Sequence, residues 1–87
     1  MELVEIEWIR TNRMIEELIR SLRENIPVQT RIKRIFETAL VAYPKDLQIL
    51  KNLEDIEAAL GNTNESIKNL EDTRRTVKKL LKQMEKQ

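Results

Sequence analysis

Only three residues of this 87-residue chain can readily interrupt a helix: Pro27, Pro44 and Gly61. One Gly and two Pro leave no material for flexible linkers or Gly-rich loops, so the chain is nearly all regular structure. Between these three points the apolar residues fall at helical spacing. Val4, Trp8, Thr11, Ile15, Leu18 and Leu22 follow one another by fours and threes, with Met14 and Ile19 widening the stripe. A strand would alternate them by twos, so the periodicity is that of an amphipathic helix.

Read with that punctuation, the chain divides into four helices, at about residues 2–24, 28–43, 46–60 and 64–85. Pro27 disfavours helical geometry at Ile26 and suits the first turn of a following helix. Pro44 ends the second helix, and Asp46 offers an N-cap oxygen to the third. Gly61 directly follows Leu60, where a left-handed residue commonly closes a helix, and Asn62, Thr63 and Asn64 supply capping side chains for the fourth. Connections this short make consecutive helices antiparallel neighbours. The expected fold is all-α, a single domain over residues 1–87. Its expected core takes Val4, Trp8, Ile15, Leu18 and Leu22 from the first helix, and Ile32, Ile35, Phe36, Ala39 and Tyr43 from the second. Leu50, Leu53, Ile56 and Leu60 come from the third, and Ile67, Leu70, Val77 and Met84 from the fourth. Trp8 is expected to be largely buried.

Composition removes several functions. His and Cys are both absent, which takes away the commonest general base, the commonest metal ligand, thiol chemistry and disulfides. Carboxylate pairs such as Glu16–Glu17 and Asp55–Glu57 have no complementary acid, base or ligand spacing, so no enzyme, cofactor or metal is expected. No apolar run approaches the ~20 residues of a membrane span, and the opening MELVEIEW is acidic, unlike a secretory signal. A soluble, cytoplasmic-type or purely recombinant protein is therefore expected. The formal net charge is +1, which gives no general attraction to nucleic acid or membrane. Residues 1–26 carry net −2, residues 27–46 net +2, residues 47–62 net −2 and residues 63–87 net +3, so neighbouring segments are of opposite sign.

Phe36, Ala39 and Leu40, then Pro44, then Leu50 and Leu53, then Leu60–Gly61 with Ser66 beyond, form a helix–turn–helix pattern. Over residues 34–71 the chain resembles a tetratricopeptide repeat. It resembles the half-a-TPR (HAT) repeats of RNA-processing factors still more, through the stretch from Arg34 to Leu40, Glu57 seven residues after Leu50, and Gly61–Asn62. The resemblance implies that the last three helices stack as antiparallel repeat pairs, with a concave protein-binding face. The short Pro- and Gly-marked connections, the Glu, Lys and Arg of the surfaces and the lack of His and Cys also look like a computationally designed helical protein assembled from native helix–turn–helix pieces. Two functions follow as expectations. The first is an engineered scaffold with no evolved biochemical activity. The second is a TPR/HAT-type protein–protein interaction module, possible in an RNA-processing assembly.

Few residues stand out as candidate contacts. Ile6 and Ile9 lie off the first apolar stripe and mark a candidate interface for a homodimer or a protein partner. Glu57 sits between Leu50, Leu53 and Leu60 as a candidate polar contact at a groove edge. Arg74, Arg75, Lys78, Lys79 and Lys82 form the densest basic cluster. They lack the interleaved aromatic residues of a base-stacking surface and suit the C-terminal end of a helix, so nucleic acid is not the expected partner.

Overall fold

The structure, a computed structural model, describes residues 3–86. It contains two helices rather than four: α1, Leu3–Ala42, and α2, Leu47–Glu85, of 40 and 39 residues. They lie against each other as an antiparallel hairpin with extents of 64 × 15 × 14 Å. At 1.5 Å per residue a 40-residue helix is about 60 Å long, so each helix spans the whole molecule. Residue 2, where the first expected helix begins, lies outside the described residues.

The turn at Pro44 is where the sequence places it. Tyr43 N donates to Ala39 O at 2.9 Å, and Asp46 N donates to Tyr43 O at 3.2 Å. Asp46 caps α2: its Oδ1 accepts from Gln48 N at 2.9 Å and from Ile49 N at 3.2 Å. Two of the four otherwise unpaired amides of the helix start are thereby satisfied.

The expected breaks at Pro27 and Gly61 are not there. Pro27 lies inside α1, exposed on its outer side. Pro27 has no N–H to offer the carbonyl of Arg23, and an interior proline costs a helix about 3 kcal/mol. On an exposed side that carbonyl can turn to water. The helix continues because its buried positions keep one phase across the proline. Trp8, Ile15, Leu22, Gln29 and Phe36 recur every seven residues, as do Asn12, Ile19, Ile26, Lys33 and Leu40, and all ten are buried or half-buried.

Gly61 is likewise internal to α2, with ordinary negative-φ backbone. Ile49, Ile56, Thr63, Leu70, Val77 and Met84 pass it every seven residues, beside Leu53, Leu60, Ile67, Arg74 and Leu81. Thr63, expected among the capping residues of a fourth helix, is instead buried in this seam and donates its hydroxyl to Ala59 O at 2.9 Å. With no helix end at Leu60–Gly61, no third and fourth helix exist to stack in a tetratricopeptide or HAT manner, and the implied concave face is absent from the described residues. A Cβ at Gly61 would meet no atom within 4 Å. Gly61→Ala should therefore stabilise the protein by up to about 1 kcal/mol in denaturant unfolding. A loss of stability would mean that the chain breaks there after all.

Burial at spacings of three and four over both helices is a 3.5-residue repeat, the period of left-handed coiled-coil packing. The core is thin. Ile15, Ile19, Ile67 and Val77 are buried together, with Trp8, Leu22, Ile26, Leu70 and Leu81 packed against them. The deepest are Val77 and Ile19, at 2% and 3% exposure. Trp8 is half-buried rather than largely buried, and the expected core residues Val4, Leu18, Ile32, Ile35, Tyr43 and Leu50 are exposed. A two-helix hairpin offers one contact line per helix, so only two tracks of each can be covered.

Candidate functional site

An antiparallel hairpin has two long grooves, one on each side of its contact line, and here they differ in chemistry. One is ionic. Arg23 of α1 bonds Glu71 of α2 side chain to side chain, and Lys78 Nζ lies 3.9 Å from a Glu16 oxygen. Glu16, Ile19, Arg20, Arg23, Glu24 and Arg74 line a shallow depression on this side. These exposed pairs are worth little each. Their sign pattern follows the segment charges: the negative residues 1–26 run beside the positive residues 63–87, and the positive residues 27–46 beside the negative residues 47–62. The net charges thus favour this antiparallel pairing.

The basic cluster of α2 is dispersed by the helix. Arg75 pairs with Asp72 on its own helix at 2.8 Å, Lys78 faces Glu16, and Lys79 and Lys82 are exposed. Arg74 turns into the seam, where its Nε is buried without a hydrogen-bond partner among the described residues. Asn12 Oδ1 and Gln29 Oε1 are in the same condition. Buried polar groups in a coiled-coil seam cost stability and penalise shifted registers. They mark the seam as specific rather than as a ligand site.

The other groove carries almost no charge. Ile32 and Phe36 of α1 meet Asn52, Asp55 and Ile56 of α2 along it. Continuing the seven-residue spacing from Ile32 gives Val4, Thr11, Leu18, Asn25 and Ala39, and the adjacent outer track gives Glu7, Met14, Ser21, Val28, Ile35 and Ala42. On α2 the corresponding tracks are Asn52, Ala59, Ser66, Thr73 and Leu80, then Asp55, Asn62, Asn69, Thr76 and Gln83. Glu7 and Asp55 are the two charges on these tracks, in a chain that is 36% charged. Along α1 the face is also apolar and open: Leu18 is 49% exposed, Val28 58% and Ile35 59%.

The candidate residues read from the sequence do not form this face. Ile9 is 37% exposed at the edge of the ionic groove, and Ile6 is half-buried beside it. Glu57 is exposed on the ionic side of α2, with no hydrogen bond or ion pair to another described residue. Antiparallel pairing sets it roughly 40 Å along the hairpin from Ile6 and Ile9. The three are therefore not one site. Among the described residues no group of three or more His, Cys, Asp or Glu could hold a metal ion, and no helix is long and apolar enough to cross a membrane.

The chain is thus defined as a two-helix antiparallel hairpin with coiled-coil spacing and one face that is uncharged but for Glu7 and Asp55, called the uncharged face below. In comparison with known proteins, no family model, no curated protein and no solved structure matches it.

Proposed function

We propose that this hairpin is a protein-interaction module without catalytic activity, whose working surface is the uncharged face of α1 and α2. The observation that supports this reading is the row of large apolar residues on α1, among them Leu18, Val28, Ile32 and Ile35. The hairpin's own core leaves them exposed while nearly all charge lies elsewhere. An apolar strip of this length is the signature of a surface that another polypeptide covers. Its helical spacing fits a helical partner, docked through side chains three and four residues apart.

A benzophenone side chain placed at Val28, compared with one at Lys82 outside the face, tests the reading in cells that make the protein. Adducts on illumination are expected at Val28 and not at Lys82. Equal labelling at the two positions, or none, would overturn it. The second reading is an engineered helical scaffold whose sequence serves only its own fold. It draws support from the unbroken seven-residue spacing of both seams and the absence of His and Cys, and it expects no adduct at either position.

A further inference from the structure

We infer that the uncharged face is covered by a second copy of this chain, α1 against α1 and antiparallel, giving a four-helix bundle about a two-fold axis. The inference rests on the interaction reading above and names its partner. A two-fold interface requires one patch to be complementary to itself reversed, so that residue i meets residue j and j meets i.

The face of α1 has this symmetry. Its centre lies between Ser21 and Asn25, which meet across the axis. Moving outward, Leu18 meets Val28, Met14 meets Ile32, Thr11 meets Ile35 and the exposed Glu7 meets Ala39, with Val4 reaching Ala42 at the ends. Small polar side chains sit at the axis, Leu18–Val28 and Met14–Ile32 pair large apolar side chains on both sides of it, and the outer layers each pair a larger with a smaller side chain.

The charges reverse about the same point. Residues 1–26 carry net −2 and residues 27–46 net +2, so antiparallel copies place the acidic half of each over the basic half of the other. At the rim Glu17 of one copy comes beside Arg31 of the other. Glu24 meets its own copy there, exposed and screened by water. A parallel arrangement of the α1 helices would set acidic on acidic and basic on basic halves. On α2 the facing residues include Ala59, Ser66, Asn69 and Thr73, small enough for the second pair of helices to approach closely.

The area is sufficient. The hairpin's 64 × 15 Å projection bounds the contact at about 1,000 Å² on each copy, room for the ~800 Å² per partner of a standard stable interface. Two hairpins would also thicken a core that a single one leaves thin.

Sedimentation equilibrium on the purified chain tests the inference. The expected mass is twice the 10.4 kDa of the chain. Leu18→Glu/Ile32→Glu should weaken association more than ~100-fold, since the two-fold axis introduces four carboxylates into an apolar interface. Circular dichroism should show the helices of this variant intact, because both positions are exposed in the single hairpin. Ile9→Glu, on the other groove, should leave the dimer unchanged. The chain contains no Cys, so Ser21→Cys/Asn25→Cys is a clean reporter. It should form covalent dimers on oxidation, while Thr11→Cys, whose neighbour is Ile35, should not. A monomer at ~100 μM, a dimer indifferent to Leu18→Glu/Ile32→Glu, or failure of the Ser21/Asn25 cross-link would overturn the inference. A monomer that still gives adducts from Val28 in cells would leave the interaction reading standing with a different partner.

Discussion

Replacing Pro27 by Ala should raise stability by about 3 kcal/mol, the largest gain expected from any single substitution in this protein. Pro27 lies within α1 with its side chain exposed, so no packing is lost on its removal. Alanine restores the amide that the Arg23 carbonyl lacks and relieves the restriction on Ile26. For a domain of this size the melting temperature should rise on the order of 15 °C. Thermal unfolding by circular dichroism would measure it. A fall in stability, with less helical signal, would show that α1 is broken at the proline in solution, and the hairpin would have to be redrawn as shorter helices.

The largest loss is expected at Ile19. It is 3% exposed within the cluster of Ile15, Ile67 and Val77. Its truncation to Ala removes buried methyl groups and leaves a cavity, at a cost of about 2–4 kcal/mol. The neighbouring Leu18, at 49% exposure, should cost under ~1 kcal/mol as Leu18→Ala in dilute solution, where the hairpin is alone. Urea unfolding of the two variants therefore reads the phase of α1 directly. Equal losses, or the larger loss at Leu18, would mean that the helix is rotated about its axis relative to this structure.

Much of the local structure was legible in the residues. Helicity followed from spacing, the turn from Pro44, and the α2 cap from Asp46, because each depends on neighbours within a few positions. The number of helices was not legible by the same means. Pro27 and Gly61 are local signals for ending a helix, and they are outweighed by a property of the whole chain: the apolar tracks keep phase across them. A true break would have reset that phase. Ile26 falls seven residues after Ile19, and Ile67 seven after Leu60, so the continuity was present in the sequence as a count rather than as a motif.

The core was half legible for a related reason. Trp8, Ile15 and Leu22 have an apolar track on each side, Val4 and Leu18 on one and Ile19 and Ile26 on the other. Spacing by threes and fours is satisfied with either. Choosing between them needs the opposite helix, and the track left uncovered became the uncharged face. By spacing alone its residues Val4, Leu18, Ile32 and Ile35 are indistinguishable from interior ones. The basic cluster divided similarly, Arg74 turning inward and Lys79 and Lys82 outward, because one helical turn separates seam from solvent.

The four-residue turn at Pro44 and Asp46 has a mechanical consequence. Both arms run back from it, so Leu3 and Glu85 lie at the same end of a 64 Å rod. A force drawing these ends apart loads the last rung alone, then the next, and peels the hairpin toward the turn at low, nearly constant tension. The same force applied from the turn to that end runs along both helix axes and leaves the rungs between them unloaded, so it can lengthen the hairpin only by unwinding the helices themselves. Pulled apart at its tips the molecule opens as a clasp; pulled along its length it keeps its two arms together.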